Sequence, residues 1–363
     1  MNASDHDAIA LLRDLVGTRS VSGNEHEAVL LLVQRMNALG LRARIDEAGN
    51  AVGVIGSDAP DATEVLLLGH IDTVPGHIPV RIEDGVLWGR GSVDAKGPLC
   101  AFAAAAATVE MPEDTRVVVI GALGEETPSS PGASFVRDRY RPAACLIGEP
   151  SGWDRFAIGY KGRLLAHASF TQDAGHSAGP ISSVAEAGIS WHRRIAAHVN
   201  EWNLCHEGNF DTIQTSLQRF NTTSDGLHDT ALMTLGFRLP PWIEAAELEQ
   251  CIRGISPDAD LWFEGHAPAY RGQRTGPIAS ALSGAIGSLG GRPTATVKTG
   301  TSDMNTVANA FGCPIVAYGP GDSTLDHTPN ERLDLGEYLR AIEVLRQAIP
   351  ELALVLSPAR CAT

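Results

Sequence analysis

The chain has 363 residues, of which 44% are hydrophobic and 20% charged, a composition typical of a soluble globular protein of about two domains. Its net charge of -15 argues against nonspecific nucleic-acid binding, and no apolar stretch is long enough to span a membrane. The six cysteines form no C-x-x-C pair, which excludes a zinc knuckle and a disulfide framework. The amino terminus is acidic where a secretory signal would be basic, so we expect a cytoplasmic protein.

Helical and strand patterns alternate along the first part of the chain. Helical spacing of apolar residues covers residues 5–17, 24–39 and 95–109. Strand patterns cover a hairpin over 41–55 and buried runs over 64–68, 116–123 and 144–147. This alternation predicts an α/β fold, with a mostly parallel sheet and helices on both of its faces.

The pattern changes after about residue 163, where LLAHASFTQD alternates apolar and polar residues as a strand with one solvated face does. The following region predicts the order strand, helix, strand, helix, strand, a small α+β layer. After RGQRTGP, a helix over 278–289, the strand CPIVAYGPG and a helix over 335–348 resume the first pattern. We therefore predict one domain of residues 1–163 and 275–363, interrupted by an inserted domain of residues 164–274.

Histidine and acidic side chains follow several of the buried strands or lie in the loops between them. They are His70 in VLLLGHID, Asp94 in WGRGSVDAKG, Glu125 and Glu126 in VVVIGALGEE, Glu149 in ACLIGEPS and His327 in LDHTPNE. Ligand sites of open α/β sheets lie beyond the carboxyl ends of the strands. Imidazole and carboxylate together suit zinc and related divalent ions. The pattern predicts a metal-dependent hydrolase with two metals.

Most of these residues have an ordinary alternative interpretation when each is taken singly. His70 could be a histidine at a strand end, and Asp94 a turn residue, since aspartate and glycine dominate turns. Glu125 and Glu126 are more informative, because adjacent carboxylates at a buried strand end repel each other and lose hydration. A metal would relieve one of them and leave the other to take a proton from an attacking water.

The strings GHIDTVPG, GRGSVDAKG, GEE, GEP and DHTPNE, in this order and over nearly the whole chain, resemble the di-zinc deacylase and exopeptidase family. That family includes carboxypeptidase G, aminoacylase, succinyl-diaminopimelate desuccinylase and acetylornithine deacetylase. The resemblance implies a catalytic α/β domain with an inserted ferredoxin-like lid that forms a homodimer. It also implies a cis peptide after Asp94 and two divalent ions, with zinc favoured and cobalt or manganese as alternatives.

The resemblance assigns roles to particular residues of this chain. The implied metal ligands are a bridging Asp94, the pair His70 and Glu149, and the pair Glu126 and His327. Glu125 becomes the general base, Asp72 supports His70, and His176 in AGHSAGP stabilises the oxyanion. Arg238 in TLGFRLP would hold a substrate carboxylate. The Gly-Thr-Ser-Asp loop that would contact substrate consists here of Gly300, Thr301, Ser302 and Asp303. One departure is HDTALMT, where the family often has Asn-x-Ile-Pro.

GRGSVDAKGPL and GEPSGWDRFAIGYKGR resemble most the subgroup that releases lysine or ornithine from an amino-group carrier protein, through cleavage of a glutamyl amide. Such carriers are acidic and would be repelled by this chain unless its cations gather near the site; the candidates are Lys161, Arg163, Arg271, Arg274 and Lys298. Amide hydrolysis of an N-acyl or carrier-bound lysine or ornithine is therefore the predicted function. The alternatives are an N-acetylornithine or N-acetyllysine deacetylase, a dipeptidase, and a noncatalytic metal- or peptide-binding protein.

Overall fold

The computed structural model describes residues 3–176, 179 and 182–357. The chain divides into two compact units, each with its own hydrophobic core. The first unit comprises Met1–Gly159, Gly272–Val297 and Ser302–Thr363, and the second comprises Tyr160–Arg271 and Lys298–Thr301. No helix among the described residues has the length and apolar composition needed to cross a membrane.

The helices of the described residues are α1 Ala3–Gly17, α2 His26–Ala38, α3 Lys96–Ala106, α4 Pro131–Arg139, α5 Val184–Asn203, α6 Ala245–Gly254, α7 Pro277–Ser288, α8 Asp303–Phe311 and α9 Leu335–Leu356. The strands are β1 Arg42–Ile45, β2 Ala51–Gly56, β3 Thr63–His70, β4 Arg81–Glu83, β5 Val86–Trp88, β6 Thr115–Ala122, β7 Ala144–Gly148 and β8 Arg155–Tyr160. They continue with β9 Gly162–Asp173, β10 Gln214–Ser224, β11 His228–Leu239, β12 Asp260–Ala267, β13 Tyr270–Arg271, β14 Thr294–Lys298, β15 Ile315–Ala317 and β16 Arg332–Asp334.

The first unit is built on a sheet whose strands lie in the order β1-β2-β6-β3-β7-β15-β8. The central strands β6, β3, β7 and β15 run parallel to one another, and the flanking pairs β1–β2, β2–β6 and β15–β8 are antiparallel. The α/β fold class predicted from the sequence is confirmed, and its parallel part is limited to these four strands. Parallel strands require crossover connections that cover the sheet, so their apolar runs are buried on both faces.

The alanine-rich helix α3 is packed in the middle of the first unit. All of its residues are buried, and it contacts α1, α9 and β3. Small side chains let neighbouring backbones approach closely, and α3 places the loop that precedes it, including Asp94, against the ends of the strands. β4 and β5 precede this loop in the sequence, and they form a separate three-stranded sheet with β16, in the order β16-β5-β4.

The second unit is an antiparallel sheet in the order β10-β11-β9-β12, with α5 and α6 packed on it. In chain order this is strand, helix, strand, strand, helix, strand, which together with the strand order gives the ferredoxin-like arrangement. The prediction of only three strands here is wrong, because it omitted β10. That strand is exposed along most of its length and carries no alternating apolar face, which is the signal that strand prediction depends on.

Candidate metal centre

Three neighbouring parallel strands deliver polar side chains to the same edge of the sheet. His70 is the last residue of β3, Glu125 and Glu126 follow β6, and Glu149 follows β7. β3 lies between β6 and β7. The carboxyl ends of parallel strands meet at one edge, so residues far apart in the sequence converge there.

His70 is 1% exposed and lies at the middle of the first ligand group. Its Nδ1 lies 3.1 Å from the backbone oxygen of Asp72 and 3.3 Å from the Asp72 carboxylate. Its Nε2 faces the other way, 3.2 Å from Asp94 Oδ1 and 4.0 Å from Glu149 Oε1. Nε2 is therefore the nitrogen directed at a ligand shared with Asp94 and Glu149.

His327 forms a second group on the other side of Asp94. Its Nε2 lies 2.9 Å from Asp94 Oδ2 and 2.9 Å from Glu126 Oε1. In each group the candidate ligand atoms lie within 4.8 Å of one another. The two oxygens of Asp94 thus face different histidines, and the peptide bond between Asp94 and Ala95 is cis, as the resemblance implies.

Asp72 connects His70 to the loop that carries the two glutamates. Its carboxylate accepts hydrogen bonds from the backbone N–H of Glu125 at 3.0 Å and of Glu126 at 3.1 Å, and from the Ser22 hydroxyl at 2.7 Å. Gly124 adopts a φ of 67°, a conformation that glycine reaches without steric cost, and so turns both N–H groups towards Asp72. Asp72 therefore fixes a histidine and a glutamate loop together, which is more than the sequence predicts for it.

Burial and hydrogen bonding together set the protonation of this cluster. Burial raises the pKa of Glu125 and of Glu149 well above the ordinary value. Burial alone would lower the pKa of His70, but its hydrogen bonds to Asp72 and Asp94 outweigh that effect and raise it well above 6.5. Hydrogen bonds to Asp94 and Glu126 raise the pKa of His327 to about 10. The cluster therefore retains protons at neutral pH, and its nitrogen and oxygen donors fit two divalent ions that would displace those protons.

The other predicted site residues belong largely to the second unit. Arg238 lies on β11, and its Nη1 donates to the Thr301 hydroxyl at 3.0 Å. His176 is exposed in the segment after β9, and Ser177, Ala178 and Pro180 of the same motif lie outside the described residues. Ser302 is buried in the first unit, where its hydroxyl accepts a hydrogen bond from the Met304 N–H at 3.2 Å and caps α8. Its role in substrate binding stays a prediction.

Two further buried acids lie in the first unit: Asp303, which the sequence placed only in a substrate-contacting loop, and Glu331, to which it gave no role. Burial raises the pKa of Asp303 to about 7, and the negative charge of Asp72 adds to that effect while His70 opposes it. Glu331 is fully buried and follows His327 in DHTPNE. An acid within a motif of other polar residues carries no periodic signal, so only the packing distinguishes it from a solvated side chain.

Residues 66–351 match the family described as Peptidase family M20/M25/M40. A [LysW]-lysine hydrolase of Deinococcus radiodurans is 47% identical over 357 residues, which cover 94% of this chain and 96% of that protein. A putative [LysW]-lysine/[LysW]-ornithine hydrolase of Thermococcus kodakarensis is 39% identical, over 96% of this chain and 93% of that protein. Both similarities extend across the two units.

Among solved structures, an M20 family metallo-carboxypeptidase of Sulfolobus solfataricus superposes with a TM-score of 0.79. The match covers 98% of this chain and 100% of that chain, at 16% sequence identity. Structural similarity at this sequence identity establishes the fold but does not identify the substrate.

Proposed function

The chain belongs to peptidase family M20/M25/M40, and on this premise we propose that it releases lysine from an amino-group carrier protein by hydrolysis of a glutamyl amide. The prediction that the chain is a metal-dependent hydrolase acting on a linear amide is confirmed by the family and by the named hydrolases among its relatives. The observation that carries the finer proposal is the 47% identity, over nearly all of both chains, to a [LysW]-lysine hydrolase.

We assign the metal ligands from the two groups described above. Asp94 would bridge, His70 and Glu149 would hold one ion, and Glu126 and His327 would hold the other, with zinc favoured over cobalt and manganese. Such ions polarise the amide carbonyl and lower the pKa of the attacking water. His70 is oriented for this role, because Asp72 occupies its Nδ1 and leaves Nε2 for the ligand.

Glu125 is the carboxylate that this assignment leaves without a metal. Its backbone is held by Asp72, and burial raises its pKa, which strengthens it as a proton acceptor. We propose that it takes a proton from the attacking water and delivers it to the leaving amine of lysine. His176 would stabilise the oxyanion, and Arg238 would hold the α-carboxylate of the released amino acid.

The charges of the second unit limit how an acidic carrier could be recognised. Lys161 is 0% exposed, and its ammonium donates to the backbone oxygens of Asn209 and Thr212. Arg271 donates to the Asp211 carboxylate at 3.1 and 3.2 Å. Both side chains therefore bind groups of the second unit itself. An acidic carrier would have to be attracted by other cations of the protein. The carrier-linked reaction should slow as ionic strength rises if the contact is electrostatic.

We also propose that the protein is a cytoplasmic homodimer, with a second copy pairing along β10. This strand lies at an edge of its sheet and exposes Leu217 by 46% and Phe220 by 38%. An exposed edge strand presents unpaired backbone N–H and C=O groups that can pair with a strand of another chain. Light scattering on the double variant Leu217→Lys/Phe220→Lys should give a monomer, whereas Leu204→Lys, at an 83% exposed position, should stay dimeric.

The reaction is tested by incubating the zinc-loaded enzyme with carrier protein that bears lysine on a glutamyl amide. We expect free lysine, with a higher kcat/KM than for N-acetyl-lysine or N-acetylornithine. Carrier-linked ornithine is the second substrate to test, because the Thermococcus relative carries both names. Faster cleavage of the acetylated amino acids would replace the proposal with a deacetylase, and preference for dipeptides would replace it with a dipeptidase.

A further inference from the structure

We propose that Glu331 is a positioning residue which, through a buried ion pair with Arg90, holds the loop of Asp94 in place for both metal ions. The inference rests on the metal ligands assigned in the proposed function. Glu331 itself is not placed among those ligands. It lies in the DHTPNE string, of which only the histidine has been given a role so far.

One oxygen of Glu331 holds the backbone at Asp94. Oε1 accepts hydrogen bonds from the N–H of Val93 at 3.0 Å and from the N–H of Asp94 at 3.1 Å. The residue is 0% exposed, so no water competes for these bonds. Bonds from N–H groups to a carboxylate are stronger than those to a neutral acceptor, and they fix the main chain on which Asp94 stands.

The other oxygen of Glu331 is bound by Arg90, at 2.7 Å from Nη1. The same guanidinium donates through Nε to the backbone oxygen of Gly76 at 3.4 Å and through Nη2 to that of His327 at 3.5 Å. These two contacts are at the long limit of hydrogen bonding and orient the group more than they stabilise it. A guanidinium is planar and has five N–H donors, so it can bind three segments of the chain at once. Arg90 thus ties the Asp94 loop to the segments that follow His70 and carry His327.

Asp94 is the residue for which such a fixation matters most. It belongs to both of the ligand groups assigned above, so a displacement of its backbone would move an oxygen away from each ion. Under that assignment, a displacement of His70 or of His327 would disturb the site of one ion only. Residues that hydrogen-bond to metal ligands without touching the metal typically contribute about 10–100-fold to metal affinity. Glu331 should therefore affect both ions together.

The chain offers a matched ion pair that lies away from the metal centre. Glu64 and Arg116 meet at 2.9 Å, and both side chains are largely buried. Glu64 lies six residues before His70 on the same strand, roughly 20 Å away at about 3.3 Å per residue. Glu64→Gln therefore breaks a similar ion pair without touching the Asp94 loop.

The test compares Glu331→Gln with Glu64→Gln in the full-length protein. A glutamine at 331 cannot accept from both N–H groups and face the guanidinium as well, because its own NH₂ would point at Arg90. Zinc dissociation constants are measured by competition with a chromogenic chelator, and backbone amide exchange is measured on the chelator-stripped protein. We expect Glu331→Gln to weaken both zinc sites by about 10–100-fold and to speed exchange at Val93 and Asp94. Glu64→Gln should lower the Tm without either effect.

Wild-type zinc affinity in Glu331→Gln, or a loss no larger than that of Glu64→Gln, overturns the inference. If Glu331→Gln is not recovered folded, Glu331→Asp replaces it, because the shorter acid keeps its charge but not its reach, and the same comparison decides. A wild-type protein that binds no zinc, cobalt or manganese would reject the assigned ligands themselves, and with them this inference. Failure of the two proposals is therefore distinguishable.

Discussion

The two units of the protein treat buried polar groups in opposite ways. At the sheet edge of the first unit, acids are buried beside the His70 imidazole, and burial raises the pKa of Glu125 and Glu149. In the second unit the core is apolar and its buried polar groups have neutral partners: the Trp191 indole N–H donates to the Ser256 hydroxyl at 2.7 Å, and the Lys161 ammonium donates to backbone oxygens. Such neutral hydrogen bonds satisfy a core at little cost. Burying an acid without a counter-ion is costly. The cluster of buried acids therefore marks the first unit as the one that binds ions.

The sharpest test of this difference is substitution of Asp94, the proposed bridging ligand. Asp94→Ala should lose both metal ions and all measurable turnover, because its two oxygens face the two histidines. His70→Ala and His327→Ala should each weaken one site and retain metal in the other. Metal content by atomic emission, read beside turnover, checks the order. Equal metal loss in all three variants would show that Asp94 has no bridging role.

A second test separates the base from the ligands within the first unit. Glu125→Gln should keep both metals and lower kcat by about 10²–10⁴-fold, the usual contribution of general base catalysis. The glutamine preserves size and the backbone bond to Asp72, so the fold should be unaffected. Steady-state kinetics and metal analysis on the same preparation measure both quantities. A wild-type rate, or loss of a metal, would reassign Glu125.

The second unit is tested through Arg238. If its guanidinium holds the substrate carboxylate, Arg238→Ala should cost about 1.5–3 kcal/mol, or roughly 10- to 150-fold in kcat/KM. Arg238→Lys should recover little, since an ammonium cannot reproduce a two-pronged contact. Arg253→Ala, which removes an exposed arginine paired with Glu249 on α6, is the control and should leave the kinetics unchanged.

The discriminating substrate is the carboxamide of the acyl-lysine. Wild type should prefer the free carboxylate, and the Arg238→Ala variant should lose most of that preference. If the variant keeps the full preference, Arg238 serves the packing of β11 through its bond to Thr301, and another residue holds the carboxylate.

The smallest expected effect is a change in the pH dependence of thermal stability. The pKa of His327 in the fold is about 10, raised from 6.5 by its acidic partners. The stabilisation from this shift is complete below pH 6.5 and is lost as pH rises through about 10. The raised pKa of Glu149 acts in the same direction. We therefore expect the Tm of chelator-treated protein to fall between pH 6.5 and 10, and His327→Asn to flatten that slope.

Zinc-loaded protein should show a weaker decline over the same range, because metal binding requires deprotonated ligands and becomes stronger as pH rises. Thermal unfolding of both forms at several pH values makes the comparison. Parallel slopes in the loaded and stripped forms would mean that the titrating groups lie outside the metal centre.

Much of the first unit could be predicted from the sequence, because its buried strands are short continuous apolar runs. The same runs end in His70, Glu126 and Glu149, so the sheet topology alone brings these residues to one edge. The short strands β4, β5 and β16 could not be predicted in this way. Each has three residues, too few to show a period, and their pairing depends on contacts distant in the chain.

The sequence by itself determined the fold class and the residue types of the metal centre, since both follow from apolar periodicity and from the chemistry of imidazole and carboxylate. Only the tertiary structure decided which atoms face each other. It directs Nε2 of His70 at Asp94, binds Asp72 to the N–H groups of Glu125 and Glu126, and buries Glu331 under Arg90. The physical reason is that burial and hydrogen-bond partners depend on packing between segments that are far apart in the chain. Local patterns of residues do not reveal that packing.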